Sequence, residues 1–286
     1  MLGHKLWQNL SPRFDTWATF RGPTDGLHSG VFDHERALPY VCADKFDSVV
    51  DALMRTRPDV LVNCIGIVKQ DPAATDPHTS ILVNALFPHQ LARASETIGA
   101  RLIHISTDCV FTGRRGKYSE SDASDAEDIY GRTKWLGELH YDHCLTLRTS
   151  MIGRELNGAN GLVEWFLSQR GKTVRGFQRA IFSGLTTTAL SHTVIDLITN
   201  NKNLHGVWHV AGDAINKLDL LRLVKQAFQV DVEIEPDQTF VCDRSLDDSK
   251  FRSVTGFKPA PWEEMIEQMA RDQTPYEEIR RIHANR

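Results

Sequence analysis

The chain is poor in cysteine, and the few it has form no pattern. Cys42, Cys64, Cys109, Cys144 and Cys242 are odd in number, scattered, and without CxxC or Cys/His ligand spacing, so neither a disulfide framework nor a zinc site is expected. His104, His192 and His209 are equally dispersed, and no metal is assigned. Positive charge is not in excess either: 33 Lys and Arg against 37 Asp and Glu leave a formal charge of −4, which supplies no basic field for nucleic acid or an anionic membrane. No apolar run reaches spanning length, and no basic stretch leads into a long apolar one at the start. Neither a membrane span nor a secretory leader is therefore expected. The expectation is a cytoplasmic protein with reduced thiols and a small diffusible substrate.

What is present is an ordinary globular composition, with 41% apolar and 24% charged residues over 286 positions. That length suits a large α/β domain with an appended lobe. Leu2, Leu6 and Leu10 fall at i, i+4 and i+8, which predicts a helix over 1–10. A strand is predicted at 15–22, a helix at 46–58, and at 59–68 an apolar strand buried on both faces. A long helix over 79–100 carries Pro88 as a candidate kink and Gly99 as its stop. Strand 101–111, a polar loop over 112–128, helix 129–143 and strand 144–152 continue the alternation. The pattern predicts a doubly wound parallel sheet. Beyond it come helices at 157–172, 186–202, 217–228 and 262–272, and a short strand at 207–212 expected to rejoin the sheet. The division expected is a nucleotide-binding domain over 1–150 and a smaller substrate-binding lobe over 151–286.

Two stretches carry chemistry. In YGRTK, Tyr130 and Lys134 stand at i and i+4 on one helix face, and Tyr130 is the one tyrosine of five with Lys at that spacing. A nearby ammonium favours phenolate and is expected to lower the phenol's pKa from about 10, fitting Tyr130 for proton exchange with a carbonyl or alcohol. An exposed surface pair is the alternative. In HISTDCVF, Ser106, Thr107 and Asp108 fall where a strand should stop, and ligands of doubly wound sheets bind beyond the carboxyl ends of strands. A local turn explains the same residues.

Taken together, ISTDCVF, YGRTK, RPDVLVNCIG, LRTS and the closing LDDSKFRSVTGFKPAPWEEMI resemble the extended short-chain dehydrogenase/reductases, most closely the dTDP-4-dehydrorhamnose reductase branch, over nearly the whole chain. The resemblance implies a Rossmann-like fold and reduction, by NADPH or NADH, of the C4 keto group of a nucleotide-linked 4-keto-6-deoxysugar for surface polysaccharide. It implies Tyr130 as general acid, Lys134 as its tuner and a ligand of the nicotinamide ribose, Thr107 as polariser of the keto group and Asp108 as a substrate contact. Gly66, Ile67 and Val68 would line the cofactor, although their apolar character alone speaks only for core packing. Arg21, at a strand end, could meet the 2′-phosphate of NADP or be an exposed charge. Arg179, in RAIFSGLTTTALS, could meet a diphosphate or be a solvated loop residue. A homodimer is implied through helices 79–100 and 129–143.

The resemblance also implies a first strand and a G-x-x-G-x-x-G turn, of which MLGHKL matches only the end, with Gly3 as third glycine. A start set downstream of that strand is the expectation, and a chain lacking it is expected not to hold NADPH. Two positions depart from the pattern: Cys42 replaces an Asp that contacts adenine, and Met151 replaces a Trp at the substrate's edge. Two alternatives stay open. A sister epimerase or dehydratase uses the same pair, but Cys109 stands where a dehydratase has Glu. A non-catalytic regulatory subunit shares the fold.

Overall fold

The computed structural model describes residues 1–284 apart from 26 and 29. Helix α1 (Leu2–Leu10) buries Leu2, Leu6 and Leu10, the predicted stripe, and packs against α7 (Thr187–Thr199). Strand β1 (Ala18–Thr19), shorter than predicted, pairs in parallel with β2 (Ala37–Leu38). Helix α2 (Phe46–Thr56) stops where Arg57 turns left-handed, one residue before Pro58. The predicted helix 79–100 is three stretches: α3 (Pro77–Ser80), a π-helical segment Ile81–Leu86, and α4 (Phe87–Thr97), with Gly99 at φ +70° as the stop. Pro88 has no N–H to give Asn84 in the α pattern, and the helix widens just ahead of it.

Strands β3 (Val60–Asn63), β4 (Arg101–Ile105), β5 (Cys144–Arg148) and β9 (Gly206–His209) form an all-parallel sheet in that order, so 207–212 rejoins the sheet as expected. Its two faces bury different cores, as a doubly wound sheet must. Ile103, Ile105, Leu145 and Leu147 meet α1, α7 and α10 (Trp262–Ala270) on one side. Leu102 and Cys144 meet Val49, Leu53, Phe87 and Leu91 on the other. The prediction for 59–68 needs correction, because Val60, Leu61 and Val62 are only half-buried. Among the described residues no strand pairs with the outer edge of β3, and an edge keeps one side open.

Beyond β6 (Met151–Ile152) and α6 (Leu162–Leu167) lies a pairing that periodicity did not reveal. The long β7 (Thr173–Phe182) runs parallel to β11 (Glu233–Asp243) and antiparallel to β10 (Ile215–Asn216). Helix α8 (Lys217–Phe228) lies on this sheet so closely that a Cβ on Gly176 would meet Leu218 Cδ1 at 2.5 Å. Strand β8 (Leu185–Thr186) pairs with β6 and leads into α7, which Thr186 caps. Helices α9 (Ser249–Thr255) and α11 (Tyr276–Ala284), both unpredicted, close the chain. Tyr276 donates to Asp272 at 2.6 Å, and Asp272 also pairs with Lys5 of α1.

Leu147 is fully buried at the centre of the sheet, so Leu147→Ala is expected to cost about 2–5 kcal/mol in urea unfolding. Val50→Ala, at an exposed position of α2, should stay within about 0.5 kcal/mol.

Candidate active site

Helix α5 (Ile129–Leu136) starts at Asp128, whose carboxylate accepts from Gly131 N at 2.8 Å. The next constraint is steric. A Cβ on Gly131 would lie 2.3 Å from Cys109 O, and one on Gly137 would lie 2.0 Å from Asn84 O. Glycine at both positions lets α5 touch the turn after β4 and the π-helical segment at once. The predicted helix 129–143 ends early, at Gly137.

The turn it touches begins at Thr107, which caps a 3₁₀ turn over Asp108–Val110 and accepts from Cys109 N at 3.1 Å. Ser106 N donates to Leu147 O at 2.8 Å and Asp108 N to Thr149 O at 3.2 Å, so β5 and the residue that follows it hold the stretch in place. The Thr107 hydroxyl donates to Asp108 Oδ1 at 3.2 Å and lies near enough to the Tyr130 phenol to favour its ionised form. Thr107, Asp108 and Tyr130 thus share one side of the sheet's carboxyl end.

Lys134, one turn on, is buried and donates to Ile105 O at 2.8 Å. Here the electrostatic expectation is reversed. Burial pushes the Tyr130 phenol above its ordinary value, Cys109, Asp108 and Asp128 add to that, and the nearby Thr107 hydroxyl opposes it. Burial brings Lys134 down to about 8, against the pull of Glu138 and Cys64. Desolvation outweighs pairing because the ammonium is bonded to a backbone carbonyl. The pair is therefore a protonated phenol beside a lysine that stays mostly charged at neutral pH but gives up its proton far more readily than an exposed one.

The sequence reading missed several neighbours. Asn84, in the π-helical segment, accepts from Ile67 N at 2.9 Å and donates to Ile67 O at 3.0 Å, fixing the loop after β3. That loop leaves Cys64, Gly66 and Val68 exposed, and a Cβ on Gly66 would lie 4.0 Å from Lys134 Nζ. Nothing in the local pattern marks Asn84. Glu138 repeats the i+4 step from Lys134, a signal that was available.

On the other flank a cavity of about 640 Å³ is lined by Cys109, Phe111, Asp128, Val241 and Arg244, among others. Its acidic residues are engaged, Asp128 with Lys69 at 2.6 Å and Glu127 with Arg114 at 2.5 Å. Arg244 donates to Phe111 O at 2.8 Å, and the Lys217 ammonium lies 4.1 Å over the Phe182 ring. Burial lowers Lys217 to about 8, with the Asp108 carboxylate foremost among the neighbours that oppose it. Burial raises Asp108, and Arg244 and Lys217 oppose it. Burial also pushes Cys109 up to about 12, so its thiol stays protonated at neutral pH.

The remaining candidates are not gathered here. Arg179 is exposed on β7 and does not line the cavity, and Met151 is half-buried against the core. Arg21 is exposed just past β1, and Gly3, in the first turn of α1, has nothing within 4 Å of a Cβ. A second cavity, of about 660 Å³, lies at the far end of α1 among Trp7, Arg13, Phe32 and Arg36, away from these groups.

A doubly wound parallel sheet with Tyr and Lys one helical turn apart at its carboxyl end defines an extended short-chain dehydrogenase/reductase. Within that class, residues 41–274 match the RmlD substrate binding domain, and the chain belongs to that family. It is 31% identical to a dTDP-4-dehydrorhamnose reductase of Shigella flexneri over 188 residues, 62% of this chain and 62% of that protein. The chain thus matches under two thirds of that relative's length. Among solved structures, a hypothetical dTDP-4-dehydrorhamnose reductase from Sulfolobus tokodaii is 25% identical with TM-score 0.74, covering 92% of this chain and 94% of that one. One from Bacillus anthracis, solved in complex with NADP, has TM-score 0.72 at 24% identity, covering 89% of this chain and 97% of that one, a likeness of fold.

Two outcomes follow from the geometry. Gly131→Ala forces a methyl group against a backbone carbonyl and is expected to cost about 1–3 kcal/mol in thermal or urea unfolding. The pKa of Lys134 falls from 10.5 unfolded to about 8 folded, so between these values the unfolded chain binds more protons and stability rises with pH. Urea midpoints measured across that window should rise less steeply in Lys134→Met.

Proposed function

We propose that this chain reduces the C4 keto group of a nucleotide-linked 4-keto-6-deoxysugar, with NADPH or NADH as hydride donor. The observation that carries the reading is the close seating of α5 on the 105–109 stretch, with Gly131 against the Cys109 carbonyl and the buried Lys134 donating to Ile105 O at 2.8 Å, which brings the Tyr130 phenol next to Thr107. Membership of the family and the Shigella flexneri relative support the substrate class.

The residues fit a nicotinamide cofactor on its ribose side. Gly66 leaves an open position between Asn84 Oδ1 and Lys134 Nζ that a side chain would fill, and Cys64 and Val68 are exposed beside it. Lys134, Tyr130 and the 66–68 loop would hold the ribose, Gly3 and the start of α1 the pyrophosphate, and Arg21 the 2′-phosphate. The cofactor supplies a hydride. Tyr130 gives its proton to the carbonyl oxygen, and a phenol held above its ordinary pKa is fully protonated for that task at neutral pH. Thr107 donates a hydrogen bond to the same oxygen, where negative charge develops. Asp108 orients the sugar. Lys217 and Arg244 face the anionic part of the substrate, with Arg179 and Met151 further out. A protonated Cys109 thiol is no substitute for a dehydratase's carboxylate, which favours simple reduction.

In this reading residues 1–150 carry the cofactor and 151–286 mainly the substrate. A homodimer would cover Ile81, Leu86, Trp135 and Leu136, exposed on neighbouring helices. A cytoplasmic site of action accords with five free cysteines and with no helix, among the described residues, long and apolar enough to cross a membrane.

The test is NADPH oxidation with dTDP-4-keto-6-deoxysugar by wild type and Tyr130→Phe. Turnover should fall by about 10²–10⁴ in the variant with its fold intact by circular dichroism, and equal rates would remove Tyr130 from the mechanism.

A further inference from the structure

Four residues past Lys134, Glu138 places a carboxylate where water does not reach, 3% exposed. Its Oε1 accepts from Ser106 Oγ at 2.8 Å and from Arg148 Nε at 2.8 Å, and its Oε2 accepts from Arg148 Nη2 at 2.7 Å. The fork-on-fork geometry is that of a strong charge-assisted pair. Arg148 reaches on to His209, whose Nε2 lies 3.3 Å from Nη1. His209 Nδ1 lies 2.9 Å from Tyr118 O, which assigns the ring's proton to Nδ1 and leaves Nε2 to accept. The backbone of His209 also donates to Glu120 at 3.0 Å. One carboxylate therefore ties the ends of β4 and β5 to the end of α5 and, through Arg148, reaches β9 and the 118–120 loop.

A buried ion pair is poor evidence for stability, since apolar side chains of similar volume often hold such a junction as well. What apolar side chains cannot supply is a negative charge four residues past Lys134, just beyond the end of α5. Nor can they bond Ser106, which sits between Ile105, the carbonyl partner of Lys134, and Thr107.

We propose that Glu138 is a positioning residue: its charge keeps Lys134 protonated, and its bond to Ser106 fixes the 105–107 backbone on which Lys134 and Thr107 depend. The second half rests on the catalytic reading above. The groups that face Lys134 are Glu138, just past the end of its helix, Cys64 in the loop after β3, and His104 on β4, which burial holds neutral. Arg148, on β5, faces Glu138.

The charge of Lys134 can be read without turnover, by NMR titration of ¹³C-labelled lysine in cofactor-free protein, with the signal assigned by its loss in Lys134→Met. The wild-type midpoint is expected near 8, and Glu138→Gln should lower it by about one unit or more. An unmoved or raised midpoint overturns the electrostatic half. Arg148→Gln breaks the same ion pair but keeps the carboxylate, so it must not lower the midpoint. A fall equal to that of Glu138→Gln would mark a packing effect and overturn the proposal.

Ser106→Ala leaves the ion pair intact and tests the second half even where Glu138 variants fail to fold. It should lower kcat roughly tenfold with KM for NADPH unchanged, and an unchanged kcat overturns that half. A shifted Lys134 titration in a protein whose wild type does not oxidise NADPH would refute the proposed activity and leave the control of Lys134 by Glu138 standing.

Discussion

Helix α5 lies against the end of β4 at a distance that only glycine permits, and the rest of the site follows from that contact. With Gly131 on the Cys109 carbonyl and Gly137 on the Asn84 carbonyl, the helix is held at both ends. Tyr130 and Lys134, one turn apart, are then delivered to two different partners on the same strand end: the phenol to Thr107, the ammonium to Ile105 O. A side chain at either glycine would displace the helix by more than a hydrogen bond tolerates. The approach is thus a condition of the chemistry as well as of the packing.

Close approach also brings desolvation, which sets the protonation states. The expectation that lysine would make the phenol acidic treats the two as a pair in a polar medium. In the folded chain both are buried, each is pushed toward its neutral form, and the ammonium is spent on a backbone carbonyl. The result suits a proton donor: a phenol that holds its proton until a carbonyl oxygen acquires charge. Glu138 and Arg148, a buried pair beneath the same corner, hold the ends of β4 and β5 in step with α5. Arg244, just past β11, lines a cavity whose own carboxylates are already paired, and Lys217 at the start of α8 adds a second cation near Asp108.

Much of this was written in local pattern. The leucine stripe of α1, the threonine cap of α7, the apolar runs of β4 and β5, and the return of 206–209 to the sheet were legible because each depends on neighbours within one or two turns or on a run of buried residues. The π-helical segment was not legible, since Pro88 announces an irregularity but not its form. The pairing of β7 with β11 was equally hidden: β7 buries every second residue at most positions, but two of these are Gly176 and Ala180, and Glu233–Asp243 mixes exposed and half-buried positions with no buried one.

By itself the sequence determined the alternation of strands and helices, the i, i+4 spacing of Tyr130 and Lys134, and the family to which ISTDCVF and YGRTK point. Those properties live in residue order, and a helix repeats every 3.6 residues whatever surrounds it. Only the tertiary structure decided that Thr107 comes next to Tyr130, that Lys134 turns to Ile105, and that Arg244 lines the cavity while Arg179 stands outside it. Such contacts join residues far apart in the chain, and burial, which rules the charge states, is a property of the packed molecule alone.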